Sequence, residues 1–360
     1  MKQSITALAA LLAVLCSCSS DDTSSPLVIG PECTNIEITS HIVSPTVWET
    51  GNVYIVRQDL DVTSQLTIEP GAIIKVSGAQ IETVGQGRII ANGTAANPII
   101  FTSLKDDSAC GDSNHDGVST QPGKGDWTGI YLNGGQNHLF SHCKITYAGK
   151  DRGGWHNAVV ISENGKSFHF DRCTFAYTAT GTSASDFAFY GSYHMADPAV
   201  SKFTNNVFFG NDRPLYVDSN YTLDVTNQFH NPANAFEKNK RNGIWLMDTA
   251  RNDHQTTFAI TEVPYVFTSF NQGGLHNSLS ISANVVVKFD GATSGLLTQL
   301  TRPVVIHATA TLTSFKDDQH GGDTNGDADA TVAQNGDWDG FFDSDANQYV
   351  NASNIRYADN

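Results

Sequence analysis

The chain has 360 residues, with 37 acidic against 21 basic side chains and a formal charge of −16. That balance excludes a nucleic-acid partner, because phosphate binding needs a basic footprint. Charged residues are only 16% of the chain, and aromatic and β-branched residues fall in short runs with no long helical period, which points to an all-β protein with many turns.

In chain order, the first segment reads as targeting. Lys2 is followed by an apolar run, Ile5 to Leu15, that is too short to span a bilayer as a permanent helix. Leu15-Cys16-Ser17-Cys18 resembles the lipobox of bacterial lipoproteins, which implies a signal peptide over 1–17 and a lipid on the Cys18 thiol. Cys16 fits less well, since the bulky Leu15 would then stand beside the cut. An ordinary secretory signal is the other reading. Residues 18–46 form a lipidated tether and N-terminal segment, opening with the polar run Ser19 to Pro26. Asp21 and Asp22 resemble the acidic export signal that Bacteroidota place after the lipid Cys, which implies an outer-membrane lipoprotein on the cell surface, held to the membrane by its anchor. In such a compartment Cys33 and Cys110 are candidates for a disulfide, with free thiols as the alternative.

Two internal periods organise the rest. Thr102 to Gly129 aligns without a gap to Thr313 to Gly340, an offset of 211, with half the positions identical. Upstream, Leu66 to Val76 matches Leu279 to Phe289 in apolar pattern; downstream, Lys144 to Gly149 matches Asn354 to Asp359. The chain therefore reads as a duplication, with a first copy over 47–257 and a shortened second copy over 258–360. Inside the first copy, apolar runs recur at Gly129–Leu132, Ala158–Ile161, Phe187–Tyr190, Pro214–Val217 and Gly243–Leu246. A second column, Phe140 to Tyr147, Phe170 to Tyr177 and Phe203 to Phe208, alternates with period two. Repeats near 29 residues with several short strands and no helix predict the coils of a parallel β-helix, with inward ladders Cys143–Cys173–Asn206 and Ile145–Phe175–Phe208. Propellers and sandwiches are the alternatives for the fold.

This pattern resembles the right-handed parallel β-helix proteins, the pectate-lyase-like superfold. Leu66 to Lys75, Gly93 to Asp107 and Gly125 to Ile130 resemble segments of its non-catalytic members. The resemblance implies an all-β right-handed parallel β-helix and leaves activity open, because a superfold hosts many functions.

The clearest chemical constellation is Asp112-Ser-Asn114-His-Asp116-Gly117, echoed by Asp323-Thr-Asn325-Gly-Asp327-Ala-Asp329. Oxygen side chains at alternate positions beside a small residue suit Ca²⁺, which takes 6–8 oxygens. Both loops lack the Glu at position 12 of an EF-hand, where Gly123 and Gln334 stand, so further ligands would come from Asp106, Asp107 and Asp126 or from Asp317, Asp318 and Asp337. Solvated acidic turns are the plainer reading. Trp127 and Trp338 end the loops and are expected to pack them onto the coil.

Two functions stand at this point. One is a non-catalytic surface module that binds glycan or protein or serves structurally, its loops stabilised by calcium. The other is a calcium-assisted polysaccharide lyase or a glycoside hydrolase, for which His142, Lys144 and Arg172 are the outward-facing candidates on the repeated strands.

Overall fold

The computed structural model describes residues 33–359 except 162–165, 192–200, 218–220, 247–253 and 269–276. The expected signal peptide, Cys18 and the start of the tether lie outside the described residues. The fold is a right-handed parallel β-helix, without helices among the described residues.

Three parallel sheets build the first copy. Sheet A holds Thr34–Ile38, Asn52–Val56, Ile73–Val76, Ile99–Ser103, Cys143–Thr146, Thr174–Ala176 and Val207–Phe209. Sheet B holds Leu60–Val62, Gln80–Thr83, Gly129–Leu132, Asn157–Ile161, Phe187–Gly191, Leu215–Val217, Ile244–Leu246, Tyr265–Thr268, Val286–Asp290 and Thr311–Ser314. Sheet C holds Thr46–Trp48, Gln65–Ile68, Arg88–Asn92, His138–Ser141, Phe168–Asp171, Lys202–Thr204 and Thr222–Leu223. Each coil runs C to A to B, so one recurring apolar column forms sheet B while the alternating column supplies both C and A.

The register follows from side-chain alternation. Ile145 pairs with Phe175, and Phe175 with Phe208, all pointing inward and fully buried. Phe175 stacks on Phe208 at 4.7 Å, and Phe140, Phe170 and Phe203 form a second inward stack at 4.8 and 5.6 Å. Stacked coils place like residues at the same depth, so rings meet face to face and the core fills by layers. The C-to-A corner needs a left-handed residue, supplied by His142, Arg172 and Asn205 at φ of 49°, 53° and 56°. Directly after it the inward position passes from Cys143 and Cys173, free and buried, to Asn206. Asn206 accepts the Cys173 N–H and donates to the Phe170 carbonyl, both at 2.9 Å, satisfying backbone groups that the corner takes out of the sheet.

The second copy is turned by one face relative to the first. Leu279–Ile281 and Val304–Ile306, the counterparts of the Gln65–Ile68 and Arg88–Asn92 strands of sheet C, form a new sheet D with Thr256–Phe258. Val286–Asp290 and Thr311–Ser314, the counterparts of two sheet A strands, extend sheet B instead. Gly340–Asp343, the counterpart of Gly129–Leu132, pairs with Gly295–Thr298 in a further sheet E. After Phe258 the Ala259–Pro264 connection carries no strand and leads to Tyr265 in sheet B.

Candidate metal sites under two acidic loops

Each acidic loop leaves one sheet and enters the next at an equivalent corner. The first runs from Ser103 on sheet A to Gly129 on sheet B; the second runs from Ser314 on sheet B to Gly340 on sheet E. Their roots match contact by contact. Thr102 Oγ1 donates to Asp106 Oδ2 at 2.7 Å, and Thr313 Oγ1 to Asp317 Oδ2 at 2.6 Å. Lys105 Nζ meets Asp126 Oδ1, and Lys316 Nζ meets Asp337 Oδ1, both at 2.7 Å. Although burial opposes ionisation of Asp126 and Asp337, bonds from these lysines, from Ser103 and Ser314, and from backbone N–H groups hold both carboxyls below the usual range. Trp127 and Trp338, each 0% exposed, donate Nε1–H to the carbonyls of Thr146 and Arg356. They pack the loops onto the coil and present no stacking face.

Of the candidate ligands, the structure gathers Asp107, Asp112 and Asp116 in the first loop, and Asp318, Asp323 and Asp327 in the second, each with ligand oxygens within 4.8 Å of one another. Asp112 Oδ2 accepts the Gly117 N–H at 2.8 Å, which chiefly holds that carboxyl below its ordinary range; the Asp323 carboxylate accepts the Asp327 and Ala328 N–H groups. Asn114 and Asn325 donate from Nδ2 to Asp116 and Asp327. Asp106 and Asp317 are held by the threonines, while Asp126 and Asp337 serve the lysine pairs. Asp329 stands outside the three-carboxylate group, where the first loop has Val118.

Charge shows what these clusters need. Asp107 Oδ1, Asn114 Oδ1, Asp116 Oδ1 and both oxygens of Asp318 are buried without a hydrogen-bond partner. Three carboxylates whose oxygens lie within 4.8 Å of one another repel, and nearby positive charge relieves that repulsion. Part of it comes from a residue that the sequence reading passed over. Lys75 and Lys288, each 0% exposed, lie under the loops and donate Nζ–H to the Gly111 and Gly322 carbonyls at 2.6 Å. Burial lowers both ammonium groups, Lys288 to about 8, against the attraction of the loop aspartates. The signal was present in the matched segments, since Lys75 and Lys288 share one register between inward apolar neighbours. One lysine against three carboxylates leaves two negative charges, and an all-oxygen donor set of that charge fits a hard divalent cation.

The lyase candidates lie elsewhere. Arg172 pairs with Asp171, His142 meets Ser141 Oγ at 3.0 Å at the C-to-A corner, and Lys144 is exposed on sheet A. Cys33 and Cys110 are joined with a Cα–Cα distance of 6.1 Å, tying the first described strand's leading residue to the first loop. No protein-family model, curated protein or solved structure matches the chain.

Proposed function

We propose that this chain is a lipid-anchored protein of the outer cell surface whose β-helix acts as a non-catalytic binding or structural module for a glycan or protein ligand, with each acidic loop closed by Ca²⁺. The observation that carries the calcium reading is the repetition, in both loops, of three converging carboxylates with buried, unpartnered oxygens over one buried lysine. A solvated turn needs one or two such side chains, and its oxygens face water. The sequence flanking Cys18 supports the anchor, and the polar tether after it would hold the β-helix clear of the lipid. In a lyase the base must be exposed beside the cation; Lys75 and Lys288 are buried and bound to carbonyls, and Lys105 and Lys316 are exposed but held by Asp126 and Asp337. The expected result is a melting midpoint that falls on adding EDTA and returns with Ca²⁺, and no product from uronate or neutral polysaccharides. Release of unsaturated uronate that is lost in Arg172→Ala would replace this reading with the lyase.

A further inference from the structure

The outer face of sheet B carries a column of side chains that the first acidic loop does not cover. In register it runs Glu82, Tyr131, Val160, Tyr190, Tyr216 and Trp245. Tyr190 stacks on Tyr216 at 5.0 Å, and Phe187 and Trp245 pack beside them. Val160 is the small rung between Tyr131 and Tyr190, and at 1% exposed the gap it leaves in the ladder is covered.

A hairpin overhangs that gap. Gly153 and Gly154, at φ of 66° and 93°, make the tight turn that a two-residue loop requires, and Asp151 accepts the Gly154 N–H at 2.6 Å. The turn sets the Arg152 guanidinium 4.1 Å over the Tyr131 ring and the Trp155 ring 6.2 Å from that of Tyr190. Tyr131, Asn133, Arg152, Trp155 and Val160 line a depression of about 370 Å³, within the size range of small-molecule sites.

Exposure points to a ligand there. Tyr131 is 3% exposed, its ring lying under the Arg152 guanidinium as the floor of the depression. Trp155 is 44% exposed, whereas Trp48, Trp127, Trp245 and Trp338 are all buried. A flat apolar ring beside the polar side chains of Arg152 and Asn133 suits a ligand with an apolar ring face and a hydroxyl edge. The local charge selects among such ligands. Arg152 donates to Glu82 Oε2 at 3.1 Å and Asn133 to Oε1 at 2.9 Å, so the guanidinium is already neutralised and a carboxylate ligand would face Glu82.

We infer that this depression binds a neutral pyranose unit of a glycan chain, its ring face on Trp155 and its hydroxyls on Arg152 and Asn133. The inference rests on the binding-module reading for its context and not on the calcium sites. The Tyr190–Tyr216 stack continues the platform along the β-helix axis, so neighbouring sugars of a linear glycan would lie across successive coils.

Because Trp155 is the one exposed indole, tryptophan emission and its quenching by acrylamide report on this site. With the full chain, the probes are cellohexaose, xylohexaose, mannohexaose and polygalacturonate. At least one neutral hexaose is expected to shift the emission and shield it. Trp155→Ala should weaken that binding by about tenfold or more in calorimetry. No response to any neutral hexaose, tighter binding of polygalacturonate, or full affinity in Trp155→Ala overturns the assignment. In the last case glycan binding persists and only the site falls; hydrolytic or eliminative product would instead overturn the module reading while leaving the Trp155 result intact.

Discussion

Asp116→Asn separates a cation site from an acidic turn, because the two predict opposite signs in the absence of metal. Asp116 Oδ2 accepts from Asn114 Nδ2 at 2.8 Å and from Thr120 Oγ1 at 2.5 Å, roles an amide oxygen can keep. The change falls on Oδ1, buried and unpartnered, where an N–H would face Asp107 and Asp112. In EDTA the variant loses one of three mutually repelling charges, so its melting midpoint should match or exceed that of the parent. With Ca²⁺ at about a hundred times the dissociation constant, one intact site adds about 2.7 kcal/mol, and two distant sites add independently. At roughly 2 °C per kcal/mol for a chain of this size, Ca²⁺ should raise the parent by about 10 °C, and either Asp116→Asn or Asp327→Asn by about half as much. The double variant should not respond. Differential scanning calorimetry in EDTA and in Ca²⁺ measures all four proteins. A single variant that loses its stability in EDTA, or that keeps the full Ca²⁺ increment, refutes the site.

Further outcomes follow from the core. Burial presses the His138 imidazole to about 4, with its ring accepting the Ile89 N–H and meeting the Gly134 carbonyl. The unfolded chain, titrating near 6.5, then binds the proton first as pH falls, so stability is full above about pH 6.5 and about 3 kcal/mol of it is lost by pH 4. Denaturant midpoints should fall over that window in the parent and less steeply in His138→Gln; parallel slopes would refute the assignment. Phe175→Ala opens the inward stack against Phe170, Phe189 and Phe208 and should cost about 3–5 kcal/mol in guanidinium unfolding, whereas a loss below about 1 kcal/mol would mean the layers collapse to refill it. Cys33→Ser releases a link spanning 77 residues and should cost about 4 kcal/mol by loop-closure entropy, checked by the drop in midpoint and its insensitivity to reductant.

Much of this molecule was legible before its coordinates. Strict alternation in Phe140 to Tyr147 and its repeats determines which side chains face inward, since a strand has only two faces. The spacing of Gly129, Ala158, Phe187, Pro214 and Gly243 determines that like strands stack, because a coil of constant length returns the chain to the same sheet. The matched acidic loops were legible as cation candidates from their oxygen spacing. Lys75 was not, since a lysine on an outward position reads as solvated until a loop closes over it. Trp155 and Tyr131 were not, because a platform assembled from a hairpin and two coils has no contiguous motif.

The offset of 211 residues says that the two loops are alike; it does not say where they stand. That depends on which sheet each strand joins: Val286–Asp290 and Thr311–Ser314, the counterparts of two sheet A strands, extend sheet B. Lys288 thereby joins the sheet B column beyond Trp245 and Val266, and the second acidic loop roots on the face that carries the Tyr131–Tyr216 platform. Local alternation and repeat length lie within a few residues of sequence, whereas the phase between copies accumulates over every corner and is decided only when the chain closes on itself.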